Sequence, residues 1–334
     1  MIEKIIQKID SLLKKANYET LVLGNYFTTK SKFCFDLLAK SDELIFSVKI
    51  FPNIDNLNQD IISDIKSLSS VLKSKPLLIG LRNRYQKLED NAIYVRDGLP
   101  FISVNTFENI LNEQYPYVLA RRGGGIIFID GALMKILREN HSITRKELSD
   151  ILGVTKRTIC SYENESMHPS EKVGEKILEI LENEDLFKKI DVFGWGLKEC
   201  IDEKDILEET DLSQFESHVQ EIISDIGLSS YWYKKGSIPF NLSMYSQSDK
   251  MKFEGFFPLF SGISEKQGKI NEMSFQCLKM FTNLFQKTSI FIVNNDINIP
   301  ESLKKTNIPI VKIKNLEKVD DEQEFIELIQ ESQK

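Results

Sequence analysis

The chain has 334 residues, 41% hydrophobic and 10% aromatic, enough apolar matter for two or three domains with their own cores. A net charge of −7 and a pI near 5.3 exclude a protein that holds polyanions by bulk positive charge. No run of eighteen apolar residues occurs, so no membrane span is expected. The cysteines (Cys34, Cys160, Cys200, Cys277) and histidines (His141, His168, His218) are too scattered for structural zinc or a disulfide framework.

In chain order, Ile2–Lys15 alternates charged and apolar residues at helical spacing and reads as an amphipathic helix. It lacks the apolar core and cleavage site of a signal peptide, which predicts a cytoplasmic protein. A strand is expected around Thr20–Tyr26. A hairpin follows, Phe33–Ala39 and Glu43–Phe51, across Lys40-Ser41-Asp42. A helix at Leu57–Leu72, strands at Pro76–Gly80 and Leu99–Val104, and a short helix at Thr106–Leu111 complete the first region. This order of helix, three strands, helix and strand resembles the restriction-endonuclease-like fold, also seen in archaeal Holliday-junction resolvases. That resemblance implies an Asp on one strand and a Glu-x-Lys about ten residues on, which together hold a divalent metal and position water. Here Asp36 is followed by Ser47-Val48-Lys49, with Ser in place of the Glu. One carboxylate is too little for Mg²⁺. The expectation is a degenerate nuclease without metal, cofactor or catalytic residue, serving as a binding or dimerisation platform. Asp36 and Lys49 read at least as well as a cross-strand ion pair.

Pro116–Gly125, PYVLARRGGG, precedes a predicted strand at Ile126–Ile129 and an Asp130-Gly131 turn. Its glycines lack the spacing of a dinucleotide fingerprint, and no Gly-Lys-Ser/Thr follows, so a hinge or turn is expected. Arg121 and Arg122 beside it are placed to touch backbone phosphates. Residues 131–164, GALMKILRENHSITRKELSDILGVTKRTICSYEN, carry the clearest signal in the chain. Leu133, Ile136 and Leu137 form an apolar stripe, with Lys135, Arg138 and Glu139 off it. Thr144 and Glu147 have the spacing of a capping box, and Leu148, Ile151 and Leu152 form the next stripe. Gly153 allows a sharp turn, and Thr155 is placed to cap a third helix whose Ile159 and Tyr162 point inward. Lys156, Arg157, Thr158 and Ser161 are left outside. These side chains suit base edges and phosphates, and three helices in this order read as a helix-turn-helix.

The stretch TRKELSDILGVTKRTICSYEN resembles the helix-turn-helix of the phage Cro and repressor family. That match implies base-contacting positions at Lys156, Arg157 and Ser161, and a phosphate-contacting position at Arg145. Thr155 and Lys146 are further phosphate candidates. Between Gly131 and Tyr162 there are six cations against three acids, whereas Glu163–Asp185 holds eight acids and two lysines. A modest basic face predicts a modest salt slope. One such module buries little surface, which predicts a homodimer on a pseudo-palindromic site.

An acidic linker is expected over 191–211, anchored by Phe193-Gly194-Trp195-Gly196. The region 212–334 is expected to repeat the first: helix Gln214–Ile226, strand Leu228–Lys234, and Ile238-Pro239-Phe240-Asn241 echoing Phe33–Asp36. Lys250–Phe260 is read as echoing Glu43–Asn53. Helix Asn271–Phe285, strand Ser289–Val293 and Ile308–Val311 follow, and an acidic tail ends in a helix around Phe325–Ile329. In this second copy Asn241 replaces the Asp.

The expected fold is thus α/β plus all-α. Two restriction-endonuclease-like α/β domains (1–120 and 212–334) flank a Cro/C1-type helix-turn-helix domain (126–190). With Gly124-Gly125 and Asp130-Gly131 ahead of the motif, this layout resembles a family of archaeal HTH-type transcriptional regulators. The family implies DNA binding and transcriptional control, and the residues are read as those of a sequence-specific, non-catalytic regulator of double-stranded DNA. An unknown effector or a protein of the transcription machinery stays open as a further partner. The alternatives are a structure-selective nucleic-acid nuclease using the first α/β domain, and a protein-binding adaptor.

Overall fold

The computed structural model describes residues 2–23, 33–42, 44–121, 124–194, 212–233, 238, 240–246, 256–265, 272–304 and 307–332. Several sequence expectations lie outside these residues: the strand beyond Leu23, Arg122, the linker from Trp195 to Asp211, and 250–255. The chain divides into two compact units. One comprises 1–49, 57–76 and 201–334, the other 50–56 and 77–200.

The first unit opens with α1 (Ile2–Lys15), which buries Ile6, Ile9 and Leu13 on one face. Asn17 stops the helix at φ 62°, a left-handed conformation that Asn tolerates better than most residues. Strands β1 (Glu19–Val22), β2 (Leu37–Lys40) and β3 (Ile45–Phe51) form an antiparallel set, with Val22 opposite Leu37 and Leu37 opposite Val48. The Asn58 carboxamide accepts the Ile61 N–H at 2.9 Å at the start of α2 (Gln59–Leu72). Strand β4 (Lys75–Gly80) follows, and from Leu77 on it belongs to the second unit.

In the second unit, β5 (Ala92–Arg96) and β6 (Leu99–Ile102) form a hairpin across Asp97-Gly98, with φ of 49° and 77°. Both turn residues lie in the left-handed region that a two-residue hairpin needs. Ser103 caps α3 (Val104–Leu111) by accepting from the Thr106 N–H. Strands β7 (Val118–Arg121) and β8 (Gly124–Ile127) make a second hairpin, and the order in this unit is β4-β6-β5-β7-β8. The glycine-rich segment therefore feeds a strand. A Cβ on Gly125 would collide with the Val118 side chain, and one on Gly174 would meet the Ile127 side chain at 2.6 Å, so these side chains pack directly against the glycine backbone. Four helices follow: α4 (Gly131–Asn140), α5 (Arg145–Leu152), α6 (Lys156–Glu163) and α7 (Glu171–Leu181).

The first unit resumes with α8 (Gln214–Asp225), opened by a Ser213–Glu216 capping box. Strands β9 (Leu228–Trp232), β10 (Leu242–Ser246) and β11 (Leu259–Ser264) are antiparallel. Helix α9 (Glu272–Phe285) leads to β12 (Ser289–Val293), parallel to β11, and α10 (Glu301–Lys304) leads to β13 (Ile310–Lys312), parallel to β12. Helices α11 (Ile313–Leu316) and α12 (Glu322–Glu331) close the chain's described part. Val219, Ile223, Leu242, Leu259, Ile290 and Phe325 are among the residues of one continuous core under this sheet.

The two α/β halves share their hydrogen-bonding plan. Leu23 N–H donates to Asp36 C=O at 3.1 Å, and Asp36 N–H to Val48 C=O at 2.8 Å. Tyr233 N–H donates to Asn241 C=O, and Asn241 N–H to Ser261 C=O, both at 2.9 Å. Asn241 thus holds the place of Asp36, as the sequence suggested. The echo between 250–260 and 43–53 is corrected: Ser261, not Gly255, is the counterpart of Val48. Spacing of Phe and Pro had suggested the wrong register, because the β10–β11 connection is longer than the β2–β3 turn and only the backbone ladder fixes the pairing.

Candidate nucleic-acid interface

Local chemistry builds the motif. Asp130 caps α4 by accepting the Leu133 N–H at 2.9 Å. Thr144 and Glu147 complete the capping box of α5, and these hydrogen bonds from Thr144 lower the Glu147 pKa. Gly153 ends α5 at φ 69°, and Thr155 accepts the Thr158 N–H to start α6. Ser149 is buried, and its hydroxyl donates to the Lys146 carbonyl at 2.7 Å. Gly131 sits against the end of α6, where an added Cβ would collide with the Glu163 carbonyl oxygen.

The inward faces differ from the predicted stripes. Helix α4 buries Gly131, Met134 and Arg138, and Ile136 is 54% exposed. Helix α5 buries Leu148, Ser149 and Leu152, and Ile151 is 57% exposed. In α4, Arg138 takes an inward position that apolar counting gave to its neighbours. Its Nε donates to Glu163 Oε1 at 2.6 Å and its Nη1 to the Ile143 carbonyl at 2.9 Å. Arg145 reaches the other carboxylate oxygen, Nε to Oε2 at 2.7 Å. Burial alone would raise the Glu163 pKa, but the two guanidinium groups overcome it and the net shift is downward. The same contact raises the Arg145 pKa. Sequence reading missed this triad. Its one signal was a Glu at the end of α6 with arginines on both preceding helices.

The predicted site residues occupy different situations. Lys156 and Arg157 are exposed in the first turn of α6, and neither closes an ion pair among the described residues. Ser161 is half-buried one turn further on. The Thr155 hydroxyl is shared with Thr158 Oγ1 at 2.8 Å. Lys146 Nζ lies 2.9 Å from Asp150 Oδ1 on an open surface. The Arg145 side chain is 34% exposed, so one edge still faces solvent while the other holds Glu163. Two of the six cations counted in this segment, Arg138 and Arg145, are thus committed to the interior carboxylate.

In the first α/β half, Lys49 Nζ lies 3.0 Å from Asp36 Oδ1, so the cross-strand reading of that pair holds. Ser47, in the place of the nuclease Glu, turns its hydroxyl to Ser69 at 3.4 Å in the buried interior. Among the described residues, no group of three or more His, Cys, Asp or Glu side chains is arranged to hold a metal.

A capped three-helix unit of this geometry, with a basic turn at the start of its third helix, defines a helix-turn-helix DNA-binding protein. A helix-turn-helix family model matches residues 134–186, and a PD-(D/E)XK superfamily domain model matches residues 2–116. A relative from Methanobrevibacter smithii, named as an HTH-type transcriptional regulatory protein, is 31% identical over 98% of this chain and 97% of its own. Similarly named relatives from Methanocaldococcus jannaschii (29% identical, 89% and 88% covered) and Pyrococcus horikoshii (28% identical, 98% and 97% covered) also match. No solved structure matches. The chain belongs to this archaeal family of HTH-type transcriptional regulatory proteins.

Proposed function

We propose that this chain reads double-stranded DNA in a sequence-specific and non-catalytic manner, as a homodimer on a pseudo-palindromic site. Lys156, Arg157 and Ser161 contact bases, and Arg145, Thr155 and Lys146 contact phosphates. The observation that carries this reading is the contrast between the two sides of α6. Ile159, Tyr162 and Glu163 are buried and fix the helix, while Lys156 and Arg157 face outward with no ion pair among the described residues. A fixed helix with a free cationic turn is what bidentate base readout and phosphate contact require. Cytoplasmic DNA is the expected target, and two chains per site supply the surface that one module lacks.

Selection of bound duplexes from a random library by the full-length protein tests this reading. An enriched motif with two related half-sites is expected, with two chains per duplex in sedimentation. Absence of any enrichment at stated salt would refute it. A nuclease reading draws on one observation, the PD-(D/E)XK match over a domain in which Asp36 and Lys49 still touch. It predicts metal-dependent cleavage of branched or single-stranded DNA that Asp36→Ala abolishes.

A further inference from the structure

The first unit brings the two α/β halves together through a reciprocal pair of contacts. Strands β1 and β9 lie at the ends of their strand orders, where backbone groups need a cover. They are counterparts in the two halves, as are helices α2 and α9, which connect corresponding strands. Helix α2 meets β9: the Tyr231 hydroxyl donates to Asp64 Oδ1 at 3.2 Å and lies 3.3 Å from Ser63 Oγ. Helix α9 meets β1 in turn, and Lys40 Nζ at the end of β2 donates to the Leu284 carbonyl near the end of α9 at 3.3 Å. When element i of one copy meets element j of the other, and j meets i, the interface is isologous, the type that joins identical subunits.

This contact falls beside the Asp36–Lys49 pair, where the nuclease-like resemblance would place its site. Asp36, Lys49 and Asp64 each lie within electrostatic reach of Cys34, Lys49 pairs with Asp36, and Tyr231 and Tyr233 also lie within reach of Cys34. Cys34 is 1% exposed, Asp64 3%, Tyr231 6% and Tyr233 5%. The two tyrosine rings pack edge to face at 4.9 Å, and Tyr233 also meets Phe240 edge to face. Aromatic packing of this kind adds to simple area burial and holds the rings in place. The second carboxylate of the pocket, Asp64, is thereby engaged by a tyrosine from the other half.

We infer that the C-terminal α/β half is a built-in partner subunit: it docks on the first half as a second copy would, and its Tyr231 and Tyr233 close the Asp36–Lys49–Asp64 pocket to nucleic acid. The pocket is filled by protein, which accounts for a nuclease-like domain in a DNA-binding regulator. Association of two whole chains then uses a different surface, because this face is occupied within each chain.

Alkylation of the full-length protein by iodoacetamide, followed by peptide mapping, tests this. Cys160 is half-exposed and serves as the internal rate standard, and Cys34 is the reporter. Wild-type Cys34 should react at least about tenfold more slowly than Cys160. Y231A/Y233A should raise the Cys34 rate about tenfold or more, leaving the Cys160 rate and the far-UV circular dichroism unchanged. Tyr231→Phe keeps the ring, removes the Asp64 and Ser63 contacts, and should raise the Cys34 rate severalfold. Wild-type Cys34 reacting as fast as Cys160 would overturn the inference, and so would protection unchanged in both folded variants. If the double variant loses its melting transition, the wild type and Tyr231→Phe decide by the same criteria.

Discussion

Arg138 and Glu163 meet at 2.6 Å beneath the surface of the helix-turn-helix, tying its first helix to the helix that carries Lys156 and Arg157. The Arg138 side chain is 7% exposed and the Glu163 side chain 2%, so neither charge has water to fall back on. Removing Glu163 leaves the buried Arg138 with only the more exposed Glu139 carboxylate at 3.2 Å and the Ile143 carbonyl, a loss approaching about 3–5 kcal/mol. Glu163→Ala should therefore open α4–α6, read as faster hydrogen exchange of the α4 and α6 amides with the amides of α8 and α12 unchanged. Unaltered protection of α6 would show that the triad does not hold the recognition helix.

The same carboxylate sets a pH limit. The folded-state pKa of Glu163 lies below its ordinary value of 4.5 because two arginines favour its charged form over the cost of burial. A group with a depressed pKa contributes its full stability above the unfolded value and loses it as pH falls through the folded value. Protection of α4–α6 should hold steady from pH 7 to about 5 and then weaken as pH drops below that ordinary value. Glu163→Gln should flatten this dependence. A variant that keeps the wild-type acid response would assign the effect to other carboxylates.

Two glycines in the motif are required for different reasons, and substitution separates them. Gly153 adopts φ 69° with nothing within 4 Å of an added Cβ, so only backbone conformation matters there. Ala at this position should cost about 1–2 kcal/mol, and Asn, which tolerates the left-handed region, should cost less. At Gly131 an added Cβ would instead lie 2.8 Å from the Tyr162 carbonyl oxygen and closer still to the Glu163 carbonyl, so Ala and Asn should both force α4 off α6. Thermal melting of the four variants checks this. Equal losses for Ala and Asn at 153, or a rescue by Asn at 131, would contradict the distinction.

Much of the architecture was legible because its signals are local. The capping box at Thr144 and Glu147, the left-handed Gly153 and the cap at Thr155 lie within a few residues of what they control, and all three appear as read. What sequence missed depends on distant partners. Arg138 looked like a surface cation because nothing near it announced Glu163, 25 residues on. The Tyr231–Asp64 contact spans 167 positions and has no local signature. The β5–β6 hairpin is a different case: Asp97-Gly98 between apolar runs is a strong turn signal, and it was passed over in favour of a single strand. Helix α7 was overlooked because its acidic run read as a charged face, although Val173, Ile177 and Leu181 keep helical spacing within it.

The central claim is that the outward turn of α6 discriminates among base pairs. Equilibrium titration of wild-type protein and Arg157→Ala, on the selected duplex and on a random duplex at the same salt, tests it most directly. Arg157→Ala should lose about 1–3 kcal/mol on the selected duplex, relax preference at one base position, and bind the random duplex nearly as before. Equal weakening on both duplexes, or no weakening on either, would contradict the claim.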